Sequence, residues 1–247
     1  MTTGPMYNDA MKEKHILATS GGYTWGYETP TLGPIIKYGL KLTAKDNPKL
    51  CYIGTAVGDA SAQIAAFYTA CIGHSVQPSH LELFALPNVA NIESFLLSQD
   101  MIWVAGGSVA NLLAVWKVHG LDTILRRAWE QGIVLAGQSA GSICWHVGGT
   151  TDSFGENLQP ITNALGFLPY GNGVHYDAHP QRRPLLQKLV AKGALPESYA
   201  TDDGTALHYI NDALHKVVAD TPEKFGYHII KTENGVEETK LETELLS

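Results

Sequence analysis

Long apolar runs are missing from this 247-residue chain: none approaches the roughly 18–20 residues that a membrane-spanning helix requires. The strongest stretches are four to seven residues long, which is strand length. Cysteine is scarce as well. Cys51, Cys71 and Cys144 are odd in number and show no CxxC spacing, so neither a disulfide framework nor a zinc site is suggested. Charged residues make up only 17%, against about 25% in typical soluble domains, and the basic ones are the fewer. A net charge of −7 and a pI near 5.8 argue against a nucleic-acid or membrane partner, since both demand a basic face. The first residues, MTTGPMYNDAMKEKH, lack the apolar core of a signal peptide, and a cytoplasmic protein is expected. What the chain does have is 45% apolar residues, which excludes intrinsic disorder. It is long enough to bury about 70–75% of its unfolded surface.

Those apolar runs alternate with helical patterns. Residues 15–19, 50–53, 81–84, 101–104 and 133–136 are short, apolar and stopped by glycine or polar clusters, as buried parallel strands tend to be. Between them, residues 31–44, 60–71, 91–97 and 109–130, with a break at Gly120, have helical character. The alternation predicts an α/β fold of three layers, α/β/α, with a mostly parallel central sheet. From 148 to 173 the chain is rich in Gly, Thr, Asn and Pro and reads as hairpins and loops. A helix is expected over 183–192, with Pro184 in its first turn. Residues 206–210, 214–219 and 227–231 read as closing strands. The tail 232–247 is polar and acidic until Leu245 and Leu246, and is expected to fray. No repeat or long linker divides the chain, so residues 1–247 read as one domain.

Chemistry concentrates in residues 132–142, GIVLAGQSAGS, where a strand runs into G-x-S-x-G and a helix. Glycines at 137 and 141 permit a tight turn that exposes the Ser139 hydroxyl. The helix start that follows offers unpaired N–H groups and the positive end of a dipole, so an oxyanion formed at Ser139 would meet the Ala140 N–H. A serine hydroxyl needs a base to take its proton. Of ten histidines, His175 lies in a glycine-flanked segment, His179 is its rival, and His146 reads as a polar residue of the elbow helix. Asp177 shares a strand face with His175. Trp103, Trp116, Trp129 and Cys144 read as core, and Asp202-Asp203-Gly204 as a turn. Ser20 to Tyr23 end the first strand at the edge where α/β ligands bind, and are candidates to line the pocket.

The order AGGSVANLL (105–113), GQSAGS (137–142) and VHYD (174–177) resembles the peptidase E family of serine peptidases, which also contains cyanophycinases. The resemblance covers most of the chain. It implies a fold similar to class I glutamine amidotransferases, flavodoxin-like, and hydrolysis of short peptides with an N-terminal aspartate through an acyl-enzyme. It implies no metal and no cofactor. Ser139 matches the family's nucleophile and His175 its base. The acid falls in a Thr-Thr turn thirteen residues past Ser139, at Asp152, with Asp177 and Glu156 as alternatives. Gly106 and Gly107 match the loop that supplies the second oxyanion donor, at Gly107. Arg182 and Arg183 are the candidates for binding the substrate carboxylate, a task suited to the guanidinium fork. Beside this reading stand a cyanophycinase-like hydrolase of β-aspartyl-arginine and a carboxylesterase with the same triad. The expected partner is a small peptide substrate, and a homodimer is left open.

Overall fold

The computed structural model describes residues 13–25 and 30–247. Most of the segment read above for a signal sequence lies outside them. Strand β1 (His15–Thr19) is followed by the paired β2 (Tyr23–Trp25) and β3 (Pro30–Leu32), then α1 (Pro34–Leu42) and β4 (Lys49–Ile53). A 3-10 turn (Thr55–Val57) leads to α2 (Ser61–Cys71), β5 (Gln77–Leu81), α3 (Ile92–Leu97) and β6 (Met101–Val104). Helices α4 (Val109–His119) and α5 (Leu121–Glu130) meet at Gly120, and β7 (Val134–Gln138) runs into α6 (Ala140–Ile143). Then come β8 (Gly148–Thr151), β9 (Gln159–Ile161), β10 (Gly171–Gly173), α7 (Arg182–Ala191) and β11 (Ser198–Thr201). The chain closes with β12 (Thr205–Ile210), β13 (Ala213–Ala219), β14 (Gly226–Thr232), β15 (Gly235–Lys240) and β16 (Thr243–Leu245).

The central sheet has eight strands in the order β16-β13-β12-β1-β7-β6-β4-β5. From β1 to β5 every pairing is parallel, while β12 and β13 join antiparallel and β16 lies parallel to β13. Its inner parallel strands β1, β4, β6 and β7 are largely apolar and buried because both faces are covered. Ile16, Ala18, Cys51, Ile53, Ile102, Val104 and Leu135 point to one side, where they pack with Leu96, Leu112, Trp116, Leu125 and Trp129 of α3, α4 and α5. Leu17, Leu50, Tyr52, Met101, Trp103, Val134 and Ala136 point to the other, against Ile35, Ile36 and Phe67 of α1 and α2. The period of two along each strand thus divides the core into two layers. This is the expected three-layer α/β/α, flavodoxin-like arrangement.

Three expectations require correction. The strand expected at 81–84 lies at Gln77–Leu81 instead. This strand is the sheet edge, where polar residues and Pro78 are tolerated. The N–H groups of Leu83 and Phe84 bind Asp59 Oδ2 at 2.5 and 3.0 Å rather than a ladder. A second sheet, β15-β14-β11-β10-β8-β9, gathers much of the second half. The tail does not fray: β15 pairs with β14 and β16 with β13. Among the described residues no helix is long and apolar enough to cross a membrane.

Candidate active site

The elbow is built where β7 lies between β1 and β6. Ser139 adopts φ 54° and ψ −110°, a strained conformation for a residue with a β-carbon. Its backbone is held on both sides: its N–H donates to Thr19 O at 2.9 Å, and its carbonyl accepts from Ser142 and Ile143. The two motif glycines are needed for close approach. A β-carbon at Gly137 would lie 2.6 Å from Gly141 O, and one at Gly141 would lie 2.3 Å from Val104 O. Helix α6 is a single turn, so its dipole is small and the Ala140 N–H matters as an individual donor. That N–H, at the first helical position, has no carbonyl of its own helix to bind.

Ser139 and His175 line one cavity of about 270 Å³. Ala105, Gly106 and Gly107, from the loop after β6, form one wall. Gly107 has φ 129°, and a β-carbon there would meet Ala56 O at 2.4 Å. The remaining walls come from Tyr52, Val57, Gln63 and Gln138. Burial, with Asp59 nearby, pushes the Tyr52 phenol up to about 12, so it stays a neutral hydroxyl.

His175 follows β10 with φ 53°. Its Nδ1 is hydrogen-bonded to Asp203 Oδ1. Asp203 sits in the turn after β11, and β10 and β11 run parallel, so the segments carrying the two residues leave the sheet at the same end. Asp203 belongs to the Asp202-Asp203-Gly204 segment, which the sequence marks only as a turn. Asp152 is placed elsewhere: its Oδ2 accepts from Arg182 Nη2 at 3.3 Å. Asp177 pairs with Lys224 and accepts the Asp203 N–H at 2.9 Å. Glu156 is exposed.

Neither arginine is among the described residues lining the cavity. Arg182 is buried against Asp152. Arg183 Nη1 donates to Glu238 Oε1 at 2.8 Å, and its guanidinium lies 4.7 and 4.5 Å from the ring centres of Tyr176 and Tyr227. His179 is exposed and accepts from Gln181 N–H. His146 is fully buried, with Nδ1 at 2.9 Å from Ser142 O and Nε2 at 3.2 Å from Tyr209 Oη. Burial lowers its pKa to about 4. Trp103, Trp116, Trp129 and Cys144 are buried in the core as expected.

The family model of peptidase family S51 matches residues 16–217. The chain is 40% identical over 235 residues to the uncharacterized peptidase YgaJ of Bacillus subtilis (strain 168), covering 94% of this chain and 99% of that one. Among solved structures, a peptidase from an acI-B1 actinobacterium superposes with a TM-score of 0.65 at 16% identity, over 96% of this chain and 98% of that one. A candidate peptidase E from Listeria monocytogenes EGD-e superposes with a TM-score of 0.58 at 17% identity, over 93% and 100%. At these identities the two structures speak for the fold.

Proposed function

Because the chain belongs to peptidase family S51 and is a serine-type peptidase of the peptidase E kind, we propose that it hydrolyses short peptides through an acyl-enzyme on Ser139. The observation that carries this reading is the hydrogen bond of His175 Nδ1 to Asp203, with His175 and Ser139 facing one cavity. With Nδ1 occupied, Nε2 is the nitrogen left to take the Ser139 proton. Asp203 fixes that tautomer and stabilises the imidazolium as it forms. Ser139 Oγ attacks the scissile carbonyl, and the N–H groups of Gly107 and Ala140 receive the oxyanion. His175 then returns the proton to the leaving amine, and water activated by the same imidazole releases the acid.

For the substrate side chain, the described walls support an uncharged residue better than aspartate. Tyr52, Gln63 and Gln138 offer neutral hydrogen-bonding groups. The two arginines that would pair a carboxylate are engaged by Asp152 and Glu238. The reading also places the enzyme in the cytoplasm, supported by three free, buried cysteines. The test is turnover of a dipeptide library. Ser139→Ala should lower kcat by about 10⁴–10⁶-fold with the fold intact. A variant keeping a tenth of the activity would remove Ser139 from the mechanism.

A further inference from the structure

We propose that Ser20 is a positioning residue for the His175–Asp203 pair, an inference that rests on the triad reading above. Ser20 directly follows β1 and is 5% exposed. Its Oγ accepts the His175 backbone N–H at 2.9 Å and lies 2.7 Å from Thr201 Oγ1. The hydroxyl also donates to Thr201 O at 3.3 Å, while its oxygen serves the His175 N–H. The Ser20 backbone grips the other member of the pair. Its N–H donates to Thr205 O at 2.9 Å, and its carbonyl accepts from Gly204 N–H at 3.2 Å, so the turn carrying Asp203 is tied down just after that residue. The adjacent residue, Thr19, accepts the Ser139 N–H. Two consecutive residues at the end of β1 thus set the nucleophile's backbone and the base's backbone relative to each other.

The side chain matters because of the conformation it holds. His175 has a left-handed φ, which a residue with a β-carbon keeps only where its surroundings over-determine it. Replacing the Ser20 hydroxyl with hydrogen, as in Ser20→Ala, leaves the His175 N–H without this acceptor and frees the segment to relax. The imidazole would then lose its alignment with both Asp203 and Ser139, and misplacements of about 1 Å cost on the order of 100-fold in rate.

The test is the rate at which a fluorophosphonate probe modifies Ser139 in the wild type, Ser20→Ala, Asp203→Ala and the double variant, with thermal unfolding recorded for each. Ser20→Ala is expected to slow labelling by about 10–100-fold. In the Asp203→Ala background the same substitution is expected to cost little, because residues acting through one network are not additive. A loss from packing alone would multiply equally in both backgrounds, and that result overturns the proposal. So does a folded Ser20→Ala enzyme labelled at the wild-type rate. If Ser20→Ala does not fold, Ser20→Cys keeps nearly the same volume with a weak acceptor and is judged by the same criteria. An Asp203→Ala enzyme labelled at the wild-type rate would instead remove the triad reading itself, and this proposal with it.

Discussion

Asp177 Oδ1 accepts the backbone N–H of Asp203 at 2.9 Å. The carboxylate two residues after His175 thus braces the turn that carries the imidazole's partner. Its other oxygen pairs with Lys224. Burial pushes the Asp177 carboxyl up, but the Lys224 ammonium and the Asp203 N–H outweigh it and hold the group below its usual range. Asp177 therefore stays ionised at neutral pH and keeps its grip on the turn.

The three aspartates should consequently separate by role. Asp203→Asn is expected to lower kcat by about 10³–10⁴-fold through loss of the correct histidine tautomer. Asp177→Asn should cost far less, since an amide oxygen can still accept from Asp203 N–H. Asp152→Asn should act chiefly on stability, because it leaves the buried Arg182 guanidinium poorly compensated. Steady-state kinetics and thermal unfolding on the three purified variants check the ranking. The greatest loss of kcat at Asp152 would return that residue to the triad.

Stability should fall on mild acidification because of His146. Its folded pKa is about 4, whereas the unfolded chain takes up the proton near the ordinary value of about 6.5. Between those values the unfolded state binds a proton that the folded state refuses. The contribution is therefore complete above about pH 6.5 and is lost as pH falls toward 4. For a fully buried ring it amounts to roughly 3 kcal/mol. Urea denaturation at pH 7 and pH 4.5 measures the difference. His146→Gln should flatten it, and an unchanged slope in that variant would assign the effect to other groups, His208 first among them.

Substrate preference follows from the cavity walls. Asn-Xaa and Leu-Xaa dipeptides are expected to react at least as fast as Asp-Xaa. A site built to pair a carboxylate would instead favour Asp over Asn by about 100-fold or more. Matched dipeptide kinetics decide this. An Asp preference of that size would mean that Arg182 leaves Asp152 for the substrate.

The parts of the fold legible in the sequence are those where local pattern and burial agree. Strands β1, β4, β6 and β7 are legible because both faces are covered, which makes their central residues apolar. The elbow was legible because Gly137 and Gly141 are demanded by contacts with Val104 and with each other. Asp203 was not. Its position depends on the parallel pairing of β10 with β11, and Ser198–Thr201 carries no apolar run to mark it as a strand. The one available signal was an acidic turn directly after a segment that could pair beside the strand leading to His175. β15 escaped for a related reason. It is an edge strand with a polar, largely exposed sequence, and charge on an edge blunts unwanted pairing while hiding the strand from pattern reading. With β15 goes Glu238, which accepts from Arg183, Tyr176 and Gln187 and which no pattern in the sequence marks as their partner.

The most direct test of the central claim is mapping the fluorophosphonate adduct by mass spectrometry in the wild type, His175→Ala and Asp203→Asn. The expected result is a single adduct on Ser139 in the wild type, formed at least about 10³-fold more slowly in both variants. An adduct on another residue, or a Ser139 adduct formed equally fast without His175 or the Asp203 carboxylate, would contradict the Ser139–His175–Asp203 mechanism.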